Sequence, residues 1–361
     1  MTRRTIPALV AVLLLPLAAT AAGLYGGVEV GAKGVKAVVI EVPSKADAGD
    51  VKVLFNKSTN VGLAPTAKDA KLDPKLVGEA AAAVAEFAKL MTTEHKVPAA
   101  NVSVVGSSGL LAANAGNADV VKQNQEVLSA AVKKAAGLDV AYLDADREAA
   151  LSVAGTVPPA HAADGLLVDV GGGNTKGGFR GDKGVVTFAI PYGTSTFAAA
   201  VKSKGGDFPA EVARLRDAEL VPAVKAAFAK DAGFGKRRHV YLSGGVAWSV
   251  ATLAHPADRS AFTPLTVADL TAVEKMLAAA DAVPTPDLSG IADPEARKAA
   301  EKEVEAVKKV YTRDQLYAGV QVLKAVVSEL DPSGGKKVAF ARNGQYAWII
   351  GYVAESSADR K

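Results

Sequence analysis

The sequence predicts an α/β fold of two similar lobes, and three observations support this prediction. Apolar runs of strand length alternate with longer helical segments along most of the chain, which is typical of mixed sheets with helices on their faces. The same order, three strands followed by alternating helices and strands, occurs in both halves, with an insertion in the second. The 361 residues are enough for two domains, each with its own core.

The first half begins with a predicted hairpin. The strands YGGVEV and VKAVVIEV flank the turn GAKG, and VKVLFNKSTNV follows as a third strand. PKLVGEAAAAVAEFAKLM has apolar residues at helical spacing and predicts a long helix. The remaining predicted elements are the strand NVSVVGSS, the helix DVVKQNQEVLSAAVKKAA, the strand DVAYLDAD and the short helix REAALSVAG.

The second half repeats this plan. The strand LLVDV is followed by the turn GGGNTK, a short return strand and the strand VVTFAIP. Helices are predicted over about 194–230, and the strand HVYLSGG leads into the helix VAWSVATLA. Two further helices, around PEARKAAEKEVEAVKKV and DQLYAGVQVLKAVVSEL, precede the strand KKVAFA and a last helix. The proline- and alanine-rich segment 157–165 lies between the halves, so we predict lobes over 23–156 and 157–361.

Residues 1–22 are predicted to be a signal peptide. Arg3 and Arg4 precede an apolar run, and Ala19-Thr20-Ala21 is a small-x-small cleavage site. The apolar run is too short to span a bilayer comfortably, and no later segment is long enough. The alternative is an uncleaved N-terminal anchor. We expect an exported protein, periplasmic or secreted, with no stable membrane span after cleavage.

Composition excludes several classes of function. The net charge of +4 is small and scattered, without a basic stripe interleaved with aromatic residues, so no nucleic-acid partner is expected. The absence of cysteine excludes disulfides, thiolate metal sites and a cysteine nucleophile. No serine lies in a G-x-S-x-G motif, so serine-hydrolase chemistry has no support. The sequence leaves homodimer formation open.

Each half begins with a hairpin whose first strand ends in an acid followed by glycine. Glu29 precedes Gly31, and Asp169 precedes Gly171. Glycine lets backbone N–H groups approach an anion closely, and an acid beside them can hold a hydrated divalent cation. Two such turns in a duplicated fold are expected to face each other across a cleft that binds phosphate. The alternative, a plain hairpin turn, is stronger for the first turn than for the second, which has three glycines.

The segment Asp169-Val170-Gly171-Gly172-Gly173-Asn174-Thr175 resembles the second phosphate loop of the actin, hexokinase and heat-shock ATPase superfamily. Within that superfamily the chain most resembles the exopolyphosphatase and guanosine pentaphosphate phosphohydrolase family, with ecto-apyrases as more distant relatives. Segments 104–110, 146–149, 190–193, 242–245 and 315–319 resemble further motifs in the same order. The resemblance covers nearly all of the chain after residue 22. It implies two ribonuclease-H-like lobes, each a mixed five-stranded sheet flanked by helices, with an interlobe cleft.

The resemblance also implies a function, which is the attack of water on a terminal phosphoanhydride of polyphosphate or of a nucleoside polyphosphate. Glu148 would be the general base. Glu29 and Asp169 would hold Mg²⁺ or Ca²⁺, and Gly244 and Gly245 would lie near a nucleoside. The phosphate-binding residues would be Gly31, Ala32, Lys33, Gly34, Ser107, Ser108, Gly171, Gly172, Gly173, Asn174 and Thr175.

Several residues depart from the family pattern. The first loop usually carries Asp and several hydroxyl or amide side chains, whereas here Glu29 is followed by Val-Gly-Ala-Lys-Gly. An acid commonly closes the second loop, but this chain has Lys176. Arg147, beside Glu148, is expected to lower the pKa of that carboxyl, and a glutamate in a first helical turn often only complements the helix dipole. We expect a hydrolase, and the alternative is a catalytically degenerate phosphate- or nucleotide-binding protein of the same fold.

Overall fold

A computed structural model describes residues 23–32, 34–42, 51–63, 65, 69–108, 110–111, 114 and 116–358. The predicted signal peptide and Lys33 lie outside the described residues. Within the described part, none of the helices combines the length and the apolar character that crossing a membrane requires.

The first sheet has five strands in the order β3-β2-β1-β4-β5. The neighbours β1/β2 and β2/β3 are antiparallel, whereas β1/β4 and β4/β5 are parallel, so the sheet is mixed as predicted. Valine and isoleucine dominate β2, which is buried along most of its length, because this strand lies in the interior of the sheet. The strands are β1 (Gly23–Gly31), β2 (Gly34–Val42), β3 (Lys52–Asn60), β4 (Val102–Gly106) and β5 (Val140–Tyr142).

The second sheet repeats this topology and adds one strand. Its order is β10-β11-β9-β6-β7-β8, so β8-β7-β6-β9-β11 corresponds to the whole of the first sheet. The prediction of five strands is therefore wrong for this lobe, because β10 pairs antiparallel with β11 at the edge. The strands are β6 (Gly165–Val170), β7 (Thr175–Gly181), β8 (Gly184–Ile190), β9 (His239–Ser243), β10 (Phe262–Pro264) and β11 (Lys337–Ala341).

Helices cover both faces of each sheet, which confirms the predicted two-lobed α/β class. A π-helical turn over Arg216–Leu220 joins α5 to α6. The helices are α1 (Pro74–Thr93), α2 (Ala118–Ala136), α3 (Ala145–Thr156), α4 (Thr194–Lys202), α5 (Phe208–Leu215), α6 (Val221–Phe228), α7 (Gly233–Lys236), α8 (Gly245–Ala254), α9 (Val267–Ala278), α10 (Pro294–Val310), α11 (Arg313–Leu330) and α12 (Ala347–Ala358).

Helix α3 lies between the two sheets and connects their cores. Leu151 is buried with Val38 and Ile40 of the first sheet. Val153 is buried on the other side of α3 with Leu167 of the second sheet. The start of α3 is therefore held where the two lobes meet.

The last helix, α12, packs on the first sheet although it follows the second sheet in sequence. Ile349 is fully buried in the cluster that contains Val38 and Leu151. The α3 and α12 backbones cross closely at Gly351. A Cβ added to this glycine would lie only 2.3 Å from the Leu151 carbonyl oxygen. An ion pair between Arg147 and Glu355 adds to this contact. The boundary predicted at residue 157 stays a prediction, but the chain returns to the first lobe at its C-terminal end.

Candidate active site

Strand alternation directs the two predicted acids away from the helices that cover the outer faces of the sheets. Val28 and Val30 are buried against the outer helices of the first lobe, so Glu29 between them points to the opposite face. The same pattern holds for Asp169, which lies between two buried valines of β6. Both opposite faces are those on which α3 packs. The predicted acids of the two lobes thus converge on one cleft.

Helix α3 supplies the third carboxylate. Its N-cap Asp144 accepts a hydrogen bond from the Arg147 amide at 2.7 Å, which fixes the start of the helix. Glu148 lies in the first turn and is only 7% exposed. A glutamate that merely complemented the helix dipole would be solvated, so its burial indicates a more specific role.

Three hydrogen bonds hold the Glu148 carboxylate. Its Oε2 accepts from the Ser108 amide at 2.9 Å and from the Ser108 hydroxyl at 2.7 Å. Its Oε1 accepts from Lys176 Nζ at 3.1 Å. Burial alone would raise the pKa of Glu148, but the charge of Lys176 and the donors of Ser108 outweigh it and lower this pKa below 4.5. The predicted direction of the shift is right, but its causes are Lys176 and Ser108, whereas Arg147 pairs with Glu355.

Glu29 is paired with a lysine of its own hairpin. Lys36 lies directly opposite Glu29 in the β1/β2 ladder, and its Nζ is 3.2 Å from Glu29 Oε2. Burial raises the pKa of Glu29 above 4.5, although Lys36 opposes this shift. Tyr346 lies close by, and its own burial together with the charge of Glu29 raises the pKa of Tyr346 to about 12.

Asp169 faces the cleft from the second lobe. Its surface is partly accessible, yet protein atoms surround the carboxyl densely enough that burial raises its pKa above 3.8. Lys176, a hydrogen bond from Ser243 and the charge of Lys36 act in the opposite direction. The effect of Lys36 on Asp169 shows that charges of both hairpins share one electrostatic environment. Glu29, Lys36, Glu148, Asp169 and Lys176 are hereafter the acid–lysine cluster.

The second glycine turn orients its amides in a way that suits an anion. The carbonyl of Gly171 accepts from the Thr194 amide at 2.9 Å, and that of Gly172 accepts from the Ser195 amide at 2.8 Å. Since C=O and N–H of a trans peptide point in opposite directions, the amides of Gly172 and Gly173 point away from α4. Among the described residues, none accepts a hydrogen bond from these two amides. They are available to a ligand.

The first turn is tighter than the second. The β1/β2 pairing continues to Gly31 and Gly34, which are only three positions apart in the sequence. In the second hairpin the pairing ends at Val170 and Thr175, which leaves the four-residue loop 171–174. A Cβ at Gly34 would lie 2.0 Å from the Thr59 carbonyl oxygen, so sheet packing alone requires this glycine. The first turn therefore fits the alternative of a plain hairpin better than a phosphate loop.

Two predicted phosphate contacts do not fit the structure. Ser108 donates both its amide and its hydroxyl to Glu148, so it positions that carboxylate instead. Thr175 is fully buried, and its hydroxyl donates to the Tyr192 carbonyl at 2.8 Å. Ser107 lies beside Gly31, where its Oγ would be 3.4 Å from an added Cβ, and remains partly exposed. The Gly171 amide donates to the Asn174 carbonyl at 3.0 Å, so the structure leaves Ser107 and the amides of Gly172 and Gly173 as the predicted phosphate donors near the cleft.

The predicted nucleoside-proximal glycines also have a structural explanation. Gly244 has φ 94°, and a Cβ there would lie 2.2 Å from the Val170 carbonyl oxygen and 3.0 Å from Asp169 Oδ1. A Cβ at Gly245 would lie 2.0 Å from the Tyr311 hydroxyl. Close packing around Asp169 and Tyr311 accounts for both glycines without a nucleoside.

The predicted metal ligands do not form a donor set that suits Mg²⁺ or Ca²⁺. Ca²⁺ takes about six to eight oxygen ligands, and Mg²⁺, which keeps several waters, still needs one or two carboxylates that are free to coordinate it. Glu29 is already paired with Lys36, and the charge of Lys176 acts on Asp169. In the part of the chain that the structure describes, no group of three or more His, Cys, Asp or Glu side chains is placed to hold a metal ion. The residues present therefore do not fit a divalent cation.

A match to a protein-family model shows the family of this chain. The model of the Ppx/GppA phosphatase family matches residues 42–339. The chain belongs to the Ppx/GppA phosphatase family. The matched range includes Glu148 and the second glycine turn, and it begins after Glu29 and the first turn.

Solved structures of other Ppx/GppA proteins share the fold. The Ppx/GppA phosphatase of Aquifex aeolicus superimposes with a TM-score of 0.64 at 17% identity, over 90% of this chain and 98% of that one. The exopolyphosphatase of Cytophaga hutchinsonii gives a TM-score of 0.55 at 16% identity, over 91% of this chain and 97% of that one. No curated protein sequence matches the chain at a significant level.

Sequence reasoning missed parts of the site in this Ppx/GppA protein. Lys36 and Lys176 each pair with an acid of the site, and no partner was predicted for either lysine. Ser243 lies opposite Asp169 in the parallel β6/β9 ladder. Aligning the strand that ends in LSGG with the strand that ends in Asp169 would have identified Ser243 as a neighbour of this acid. Tyr346 had no local signal, because it reaches Glu29 only through the return of the chain to the first lobe.

Proposed function

We propose that this Ppx/GppA protein hydrolyses terminal phosphoanhydride bonds of polyphosphate or nucleoside polyphosphates, with Glu148 as the general base. One observation carries the proposal. The Glu148 carboxylate is buried and held by Ser108 and Lys176 at the place where both lobes converge. Membership of a phosphatase family supports the same reaction class.

The reaction would proceed by direct attack of water on the terminal phosphorus. Glu148 accepts a proton as the water oxygen forms its bond to phosphorus. The bond from phosphorus to the bridging oxygen breaks, and its electron pair leaves with the shortened chain. Charge on the non-bridging oxygens is stabilised by the Gly172 and Gly173 amides and by Lys176, so catalysis depends on positioning and electrostatics. No covalent intermediate with the protein is needed.

A second candidate is a phosphate-binding protein of the same fold without turnover. The observation that favours it is that both oxygens of Glu148 already accept hydrogen bonds and that the pKa of Glu148 is lowered. A carboxylate with a lowered pKa is a weaker base, and a water must compete for it with Lys176. The first candidate requires that this competition be resolved when substrate binds.

Phosphate release tests the two candidates. The purified protein is assayed on polyphosphate, ATP, ADP and guanosine tetraphosphate, in Mg²⁺, in Ca²⁺ and in EDTA. Glu148→Gln is expected to lower turnover about 100-fold or more while the protein stays folded. The matched control is Glu79→Gln, an exposed carboxylate on α1, which should not change turnover. Undiminished turnover in Glu148→Gln contradicts the assignment, and substrate binding without turnover in the wild type favours the second candidate.

We also propose that the protein is exported. The paired arginines, the apolar run and the small-x-small site of residues 1–22 support this proposal. N-terminal sequencing of protein from the producing cells, together with cell fractionation, tests it. A mature N-terminus near residue 22 is expected, and protein retained in the cytoplasm with residues 1–22 intact contradicts it.

A further inference from the structure

The two hairpins place a lysine at equivalent positions. Lys36 lies opposite Glu29 in the β1/β2 ladder, and Lys176 lies opposite Asp169 in the β6/β7 ladder. Directly opposed residues of an antiparallel pair project from the same face of the sheet. Each lysine therefore projects from the face that carries its acid, and each lobe contributes one acid and one ammonium to the cleft.

The two lysine side chains remain partly accessible whereas those of their partners are buried. The side chains of Lys36 and Lys176 are 43% and 39% exposed, but those of Glu29 and Glu148 are each only 9% exposed. A lysine ammonium has three donors. Each of these two has one hydrogen-bond partner among the described residues, so donors remain for an anion that enters the cleft.

The side chains that the structure describes in this cleft do not provide a site for a divalent cation. The residues do not fit Mg²⁺ or Ca²⁺, because Glu29 is paired with Lys36 and Glu148 with Lys176, so neither carboxylate is free to coordinate a cation. Lys176 lies opposite Asp169 and thus supplies a positive charge at the place where the metal was expected.

We propose that Lys36 and Lys176 supply the positive charge that a divalent cation would otherwise provide, so that this chain binds a phosphate chain without a metal ion. The inference rests on the proposed function for the identity of the anion. Lys176 would donate to a phosphate oxygen beside the Gly172 and Gly173 amides, and Lys36 would contact the same anion from the first lobe. Ammonium–phosphate hydrogen bonds are charge-assisted and hence among the strong ones.

Calorimetric titration with inorganic tripolyphosphate tests the inference. The full chain is titrated in EDTA and then in excess Mg²⁺ or Ca²⁺. Binding in EDTA is expected to be at least as tight as binding with metal, since free tripolyphosphate carries more negative charge than its metal complex. Binding that requires either metal overturns the inference.

Matched lysine variants locate the binding. Lys36→Gln and Lys176→Gln should each weaken tripolyphosphate binding in EDTA about tenfold or more, because each removes a charged donor. Lys176→Arg keeps the charge and should retain binding. Lys75→Gln removes an exposed lysine of α1 and should change nothing. Folding of each variant is checked by thermal unfolding, and wild-type affinity in both folded Gln variants overturns the inference.

The outcome of the tripolyphosphate titrations can be distinguished from the outcome of the phosphate-release assay that tests the proposed function. Metal-free binding without any phosphate release leaves this inference standing and contradicts the hydrolase. Phosphate release that depends strictly on Mg²⁺, with binding that also needs Mg²⁺, supports the hydrolase and overturns the role of the two lysines.

Discussion

The ammonium nitrogen of Lys176 lies 3.1 Å from Oε1 of Glu148, although strand register places Lys176 opposite Asp169. A side chain from the hairpin of the second lobe thus binds the carboxylate on the helix between the lobes. This ion pair connects the second glycine turn to the proposed general base. A ligand that attracts Lys176 would also change the environment of Glu148.

Replacement of Lys176 by methionine should change the pH dependence of turnover. Lys176 helps to hold the pKa of Glu148 below 4.5, so Lys176→Met should raise this pKa. In the proposed mechanism, turnover requires ionised Glu148 and is lost as pH falls through the pKa of this carboxyl. The acidic limb of the kcat/KM profile should therefore move to higher pH in Lys176→Met. Lys75→Met serves as the control, and an acidic limb that stays in place in Lys176→Met contradicts the coupling.

Gly244 is expected to be intolerant of any side chain. Its φ of 94° with ψ of 166° is a conformation open almost only to glycine, and a Cβ would lie 2.2 Å from the Val170 carbonyl oxygen. Gly244→Ala should lower the free energy of unfolding by about 3 kcal/mol or more.

The matched control for this substitution is Gly334→Ala. Gly334 also has positive φ, 71°, but nothing lies within 4 Å of an added Cβ. Only the cost of the left-handed backbone applies there, about 1 kcal/mol. Chemical denaturation of both variants provides the comparison, and equal losses would argue against the close packing beside Asp169.

Contact between α3 and α12 predicts a second pair of glycine variants. A Cβ at Gly351 would lie 2.3 Å from the Leu151 carbonyl oxygen, so Gly351→Ala should separate the two helices and destabilise the protein by about 1–3 kcal/mol. Gly78 lies on the exposed face of α1 with nothing within 4 Å of an added Cβ. Gly78→Ala should stabilise the protein by up to about 1 kcal/mol. A neutral Gly351→Ala in thermal unfolding would contradict the crossing.

Much of the fold was predictable because it is encoded locally. The alternation around Glu29 and Asp169 identifies strands, and the repeated hairpins predict the two lobes. The strand β10 was missed, because three residues ending in Pro264 give almost no periodic signal. The position of α12 on the first sheet was also missed, since only the burial of residues such as Ile349 against distant strands determines it.

The site was predictable only in part. The acids and the second glycine turn follow from sequence pattern, and the structure brings them to one cleft. The partners of Ser108, Lys176 and Thr175 did not follow, because each depends on side-chain reach between elements that are distant in sequence. Hydrogen-bond partners of this kind distinguish a residue that contacts ligand from one that positions its neighbour.

A crystal structure of the protein with tripolyphosphate bound in EDTA tests the central claim most directly. The claim is that both lobes contribute to a single anion site. The anion is predicted to accept hydrogen bonds from the Gly172 and Gly173 amides and to lie between the Lys36 and Lys176 ammonium groups, with Glu148 beside its terminal phosphorus. Tripolyphosphate bound elsewhere, with the acid–lysine cluster unchanged, would contradict the claim.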